Sequence, residues 1–436
     1  MAITGVDRPH FRFRFGVYLG AAAALGLILF VLLWSCAPTP PPGAPPAPEV
    51  AAPAGEPELR IGLAVGSGSA ALGGAGPLSV SDPSGSHLAE IPAGEVWRLT
   101  VSGTGLVVSS PGGFSSAPVN ALSISSGSPE EPVRVDARGY HGSLQVLRDR
   151  TGLTVVNRVR LESYILGVVS AEMGRRSSAE QEALRAQAVV SRTYALRNLR
   201  RWVAQGFDLY ATVADQVYGG IGTETPEALQ AVAATKGQIL TFGGAPIDAF
   251  FYSTCGGRTA EGTEVFRGAE RPYLRSVADV GDDGIAYCSI SPRFRWHEEW
   301  SGELLRATLA RTLPLTLGVP GETVRAVSDV RISYRTGSGR VGQLTIGLPG
   351  SELRVDGPQV RQVLRPRSGD LLRSNAFSLM VSRAGGQVTR LVADGEGAGH
   401  GVGFCQWGAV GRSRAGQDYR HILAAYYPGT TLERLY

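Results

Sequence analysis

A glutamate interrupts the stretch at residues 167–173, "GVVSAEM", whose other residues are nearly all apolar or small. Leu161, Ile165, Val168 and Glu172 recur at helical spacing. The periodicity therefore predicts a helix through "LESYILGVVSAEM", with Glu172 on its apolar stripe near the C-terminal end. Desolvation penalises a carboxylate and the negative end of the helix dipole repels one, so both favour the protonated form. A carboxyl group kept neutral near pH 7 is what general-acid chemistry requires. The plainer alternative is a glutamate at a fraying helix end, paired with an arginine.

A second charge falls on an apolar stripe in the next predicted helix, where Ala188, Arg192, Ala195 and Leu199 align. A guanidinium does not deprotonate and costs several kcal/mol to bury alone, so Arg192 needs a partner. It either pairs with Glu172, grips a substrate oxygen, or forms a purely structural ion pair. Residues 215–220, "DQVYGG", and 251–259, "FYSTCGGRT", set aromatics beside turn glycines. These suit the wall of a sugar-binding groove or, more simply, hairpin packing. The stretch at 395–411, "GEGAGHGVGFCQWGAVG", surrounds His400, Cys405, Gln406 and Trp407 with glycine, which lets backbone approach a ligand closely. His400 is there a candidate acid, base or hydrogen-bond donor, or a structural histidine.

The elements that position these residues follow from composition and punctuation. The chain has 436 residues, 43% of them hydrophobic, enough for one large or two medium domains. A formal charge of +4, with no basic stripe interleaved with aromatics, argues against a nucleic-acid partner. Residues 1–35 read as a signal or transmembrane anchor: Arg8, Arg12 and Arg14 precede an apolar run over 15–34, long enough to span a bilayer. The basic flank stays inside, which places the remainder outside the cytoplasm, in the envelope or periplasm. Cys36 follows Ser35 as in a bacterial lipoprotein cleavage box and is the lipidation candidate. Residues 36–58 form a Pro/Ala-rich linker.

Residues 59–150 alternate short apolar runs with Gly/Ser turns and predict a small all-β subdomain. From 151 to 436 helices cluster first and strands follow. The fold class is α+β, a central helical cluster packed with antiparallel hairpins and preceded by that subdomain. Ser177 with Glu180 looks like a capping signal for the helix carrying Arg192, and Thr225-Pro226 opens another helix ending at Gly237. A hairpin is expected from "GQILTF" to "PIDAFFYST" and an amphipathic helix over 298–313. Residues 293–383 read as an inserted α+β lobe. Outside the cytoplasm disulfides persist, so a Cys255–Cys288 bridge is preferred over a Cys255, Cys288, Cys405 and His400 zinc set, whose spacing lacks a knuckle. No cofactor is expected, zinc being the lesser alternative.

In order, "VNRVRLESYILGVVSAEM", "EALRAQAVVSRTYAL", "DQVYGG", "ATKGQILTFGGAPIDAFFYSTCGGRT", "RPYLRSV", "GHGVGFCQWGAVG" and "ILAAYYPGT" resemble the stage II sporulation protein D (SpoIID) family and its amidase-enhancer (LytB) relatives. The resemblance runs from about residue 155 to 436. It implies a cell-envelope protein acting on peptidoglycan glycan strands. Sporulation members are lytic transglycosylases that cleave between N-acetylmuramic acid and N-acetylglucosamine, and the resemblance assigns the catalytic acid to Glu172. Other members are amidase enhancers, so the alternative is a non-catalytic peptidoglycan-binding protein that stimulates a cell-wall amidase. Arg192, Tyr252, Ser253, His400 and Gln406 are the expected groove residues. Two positions depart from the pattern. Gly174 stands where many relatives have proline, and Tyr252 where some carry a histidine that helps hold zinc.

Overall fold

The computed structural model describes residues 55–128 and 131–436. The expected anchor over 1–35, Cys36 and the linker up to residue 54 lie outside the described residues. Among the described residues no helix is long and apolar enough to cross a membrane.

The fold is mixed α/β, with several antiparallel sheets and eight α-helices among the described residues. Alternation of buried and exposed positions builds the N-terminal strands, as in Leu78–Ser81 and Ala121–Ser126. These belong to a seven-stranded sheet and pack with a five-stranded one. The strand Leu153–Arg160 pairs antiparallel with Glu58–Ser67 on one side and Ser143–Arg148 on the other. The region before residue 150 and the helices after it therefore share a sheet and one hydrophobic core. A second core, from Trp296 to Ala393, is separate from it.

The strand Leu153–Arg160 runs directly into the helix Leu161–Met173, which carries Glu172. Gly174 stops that helix with φ near 64°, a conformation that costs glycine nothing, and its N–H reaches the Ser170 carbonyl at 3.0 Å. The helix Gln181–Arg197 follows, after a turn in which Ser177 and Glu180 form a reciprocal capping box. Thr225 caps the helix Pro226–Ala234 by accepting from the Ala228 amide at 3.2 Å.

Two expected elements differ. The helix expected from residue 298 begins at Gly302, because Ser301 caps it through the Leu304 amide. Residues Arg295–Ser301 are a strand with Trp296 and Trp300 on its buried side, a period-two pattern hidden by the charged residues between them. The strand Gln238–Phe242 turns through Gly243-Gly244 into only the short Ala245–Pro246. The chain then leaves that sheet, and Phe251–Tyr252 pairs in parallel with Phe404–Cys405.

Arg192 is fully buried where these elements meet. Its Nε and Nη2 donate to the Glu162 carboxylate at 2.9 and 2.6 Å, and its Nη1 to the Gln238 carbonyl at 3.0 Å. Glu162 also accepts from the Gly237 amide at 3.1 Å and the Tyr436 hydroxyl at 2.5 Å. Burial pushes the Glu162 pKa up, but the bonds and charge of Arg192 outweigh it and hold the group below its ordinary value of 4.5. A depressed folded-state pKa contributes stability that is present above the unfolded value and lost as pH falls. Glu162→Gln should cost about 3 kcal/mol, since it strands a buried guanidinium. In urea titrations the wild type should lose this advantage over the variant as pH drops below about 4.5. An equal midpoint at pH 7 would contradict the assignment.

Candidate active site

Glu172 sits in the last turn of its helix, a turn without any basic residue. It is partly buried, and its carboxylate accepts from the Val217 amide at 3.0 Å and the Gln406 side-chain amide at 3.3 Å. Burial raises its pKa above the ordinary 4.5, and these two hydrogen bonds offset only part of the rise. The group is thus biased toward the protonated acid while keeping an opening to solvent.

The Val217 amide belongs to the "DQVYGG" loop, whose base is fixed by Asp215. That buried carboxylate accepts from the Tyr210 amide and the Trp202 indole, each at 2.8 Å, and is bridged to Arg201 at 3.1 Å. Tyr218 then packs against the acid helix at Gly167, where a β-carbon would lie only 2.5 Å from its ring. A helix-weakening glycine is tolerated there because it admits the loop that reaches Glu172. Gln406, first residue of the helix Gln406–Arg414, also donates to Gln187 on the Gln181–Arg197 helix, at 3.4 Å. Beside it, Trp407 stacks under Arg176, with the guanidinium carbon 4.5 Å from the ring centre.

Of the expected groove residues, Gln406 is the one that hydrogen-bonds Glu172. Arg192 bonds to Glu162 instead, and its other guanidinium contacts are backbone carbonyls. It is a structural cation, because Glu162 lies one helix face across and Glu172 three turns further on. His400 has both ring nitrogens engaged by backbone: Nε2 with the Phe251 carbonyl at 2.9 Å, and Nδ1 accepting from the Val402 amide at 3.1 Å. Burial lowers its pKa to about 4, so it is neutral at physiological pH and holds its loop in place. Tyr252 is buried against the His400 ring, and Ser253 accepts the Trp407 amide through its carbonyl at 3.0 Å. The expected Cys255–Cys288 bridge is not formed. The two sulfurs are 3.4 Å apart as thiols, against about 2.05 Å for a disulfide. They converge with Cys405 and Asp279 on one point, so bonding two of them would leave the other two facing each other. A cleft of about 820 Å³ opens elsewhere, between Arg258, Arg295, His297 and Arg340, and Glu172 is not on its walls.

The sequence carried little signal for Val217, which acts through its backbone, or for Gln187 and Arg176. Asp279 was detectable only as an acid between apolar neighbours in "SVADVGDD".

The fold and site together define a mixed α/β protein built around one semi-buried carboxyl at a helix end. Residues 149–242, which hold Glu162, Glu172, Arg192 and Val217, match the family described as stage II sporulation protein. Residues 286–403 match a domain family of unknown function. The chain is 32% identical over 296 residues to an uncharacterized protein of Brachyspira hyodysenteriae, covering 67% of this chain and 72% of that protein. It is 29% identical over 307 residues to stage II sporulation protein D of Bacillus subtilis, covering 65% and 77%. It is also 28% identical over 305 residues to the amidase enhancer of Bacillus subtilis, covering 61% of this chain but 40% of that protein. The chain belongs to the stage II sporulation protein D family.

A raised folded-state pKa contributes stability that is complete below the unfolded value and lost as pH rises through the folded one. Glu172→Gln, which cannot ionise, should therefore resist urea better than wild type at pH 8. The gap should close as pH falls toward 4.5. A variant less stable at every pH would show that the carboxylate is held for structure.

Proposed function

We propose that this protein acts in the cell envelope as a peptidoglycan lytic transglycosylase that cleaves the bond between N-acetylmuramic acid and N-acetylglucosamine, with Glu172 as acid and then base. The observation that supports it most is Glu172 itself, a partly buried carboxyl raised in pKa and latched between the Val217 amide and Gln406.

In this reading Glu172 gives its proton to the bridging glycosidic oxygen, the C1–O bond breaks, and an oxocarbenium-like muramic acid remains. The carboxylate then takes the proton of the C6 hydroxyl as that oxygen bonds to C1, which leaves a 1,6-anhydro end and restores the acid. No water is consumed, so the second carboxylate of a hydrolase is not required. The Val217 and Gln406 N–H groups stabilise the carboxylate between the two halves of the cycle.

Cell-wall work also accords with the relatives named for sporulation stage II and for enhancing an amidase. The amidase-enhancer relative favours one further reading, a non-catalytic peptidoglycan binder that stimulates an amidase. Membrane anchoring through residues 1–35, with or without acylation of Cys36, would hold either activity at the wall.

Purified glycan strands, with and without stem peptides, should yield anhydro-muramic ends detectable by mass spectrometry. Glu172→Gln should lower the rate by about 10²–10⁴-fold. Because the reactive form is the protonated acid, kcat/KM should fall as pH rises through the elevated pKa of Glu172. Identical products from wild type and variant would sink the enzymatic reading. Retained glycan binding, no products and an accelerated amidase would establish the second one.

A further inference from the structure

The four groups that replace the expected disulfide form a site of their own. Cys255, Cys288, Cys405 and Asp279 are all at most 1% exposed, and their ligand atoms lie within 4.8 Å of one another. Ligands around a tetrahedral zinc, with Zn–S near 2.3 Å, stand about 3.8 Å from each other. Cys255 Sγ is 3.4 Å from Cys288 Sγ and 3.1 Å from Asp279 Oδ2, so the cage has the right dimensions and needs only slight expansion.

Backbone N–H groups are aimed at two of the sulfurs. The Gly257 amide donates to Cys255 Sγ at 3.3 Å, and Cys405 Sγ accepts from the amides of Cys255 at 3.1 Å and Gly408 at 3.2 Å. Cys405 moreover caps the N-terminus of the helix Gln406–Arg414, where the dipole favours negative charge. Gly256 and Gly257 both take positive φ, which turns the chain back over its own sulfur.

Asp279 is oriented from behind. Its Oδ1 accepts from Arg412 Nε at 2.8 Å, and the Tyr426 hydroxyl lies 2.9 Å from each of its oxygens. At Gly408 a β-carbon would fall 2.1 Å from Asp279 Oδ2, so glycine is needed there for the carboxylate to reach the sulfurs. Such outer partners fix a ligand's direction and its basicity.

We propose that Cys255, Cys288, Cys405 and Asp279 form a closed, structural Zn²⁺ site. Binding displaces the thiol protons to solvent and leaves three thiolates and one carboxylate on the ion. No electron is transferred and no oxidant is required. The excess negative charge is met by Arg412 on Asp279 and by Arg340, whose Nη2 bonds the Cys255 carbonyl at 2.8 Å. With four protein ligands no position is open to substrate, so the ion positions rather than catalyses. What it positions is the strand pair Phe251–Tyr252 and Phe404–Cys405, and with it Gln406, the next residue, which holds Glu172.

The full chain, purified in detergent without chelator, should carry about one zinc per chain by elemental mass spectrometry. Replacing zinc with cobalt should give thiolate charge-transfer and tetrahedral d–d absorption. Asp279→Asn keeps the shape of the site and should release zinc to a chromogenic chelator at least tenfold faster. Cys405→Ser should abolish stoichiometric binding, and should it not fold, Asp279→Asn still decides. Glu172→Gln should keep its zinc, which separates this site from the fate of the glycan-cleavage reading. Folded protein that neither arrives with nor takes up zinc or cobalt would overturn the proposal. So would alkylation mapping that finds Cys255 joined to Cys288 in metal-free protein.

Discussion

Arg192 cannot give up its proton, and it is buried completely, so the rest of the domain is arranged to bring it a carboxylate. That carboxylate is Glu162, in the first turn of the helix Leu161–Met173, where the dipole already favours an anion. The same pair collects the Gly237 amide, the Gln238 carbonyl and the Tyr436 hydroxyl. One ionic contact thereby fixes two helices, the start of a strand and the C-terminus.

This arrangement has a chemical consequence at the other end of the same helix. Glu162 gets the cation and the positive helix end, and its pKa is depressed. Glu172 gets the negative helix end, partial burial and two neutral hydrogen-bond donors, and its pKa is raised. Two glutamates ten residues apart on one rigid element are thus driven in opposite directions by their surroundings, the usual means of preparing one carboxyl as an acid. Arg192 is committed to Glu162, and Arg185 and Arg197 of the same helix pair with Glu182 and Asp248, so none of the three neutralises Glu172.

The donors that hold Glu172 come from far along the chain. Val217 is 45 residues away and Gln406 is 234. Such contacts need firm backing, since each fixes a loop or helix end whose own local stability is small. Asp215 and Tyr218 brace the first, and the buried cysteine cluster with Asp279 stands directly behind the second. His400, with both nitrogens bonded to backbone, keeps the glycine-rich segment between them in one conformation.

Much of the local structure was legible in the sequence. The acid helix, the Ser177–Glu180 cap and the Thr225-Pro226 start follow from side-chain periodicity and from donors satisfied within a few residues. The strand at Arg295–Ser301 was not legible, since charged residues between its two tryptophans imitate a helical surface. Glu172 and Gln406 stood out as polar groups in apolar or glycine-rich company, so their importance was visible before their meeting was. Periodicity tells which face of an element a residue occupies, but not which other element will cover that face. Only the tertiary structure could therefore decide that Arg192 meets Glu162 rather than Glu172, and that three cysteines converge with Asp279 rather than two pairing off. Those choices depend on helix crossings and loop paths spanning up to 150 residues, over which no local rule operates.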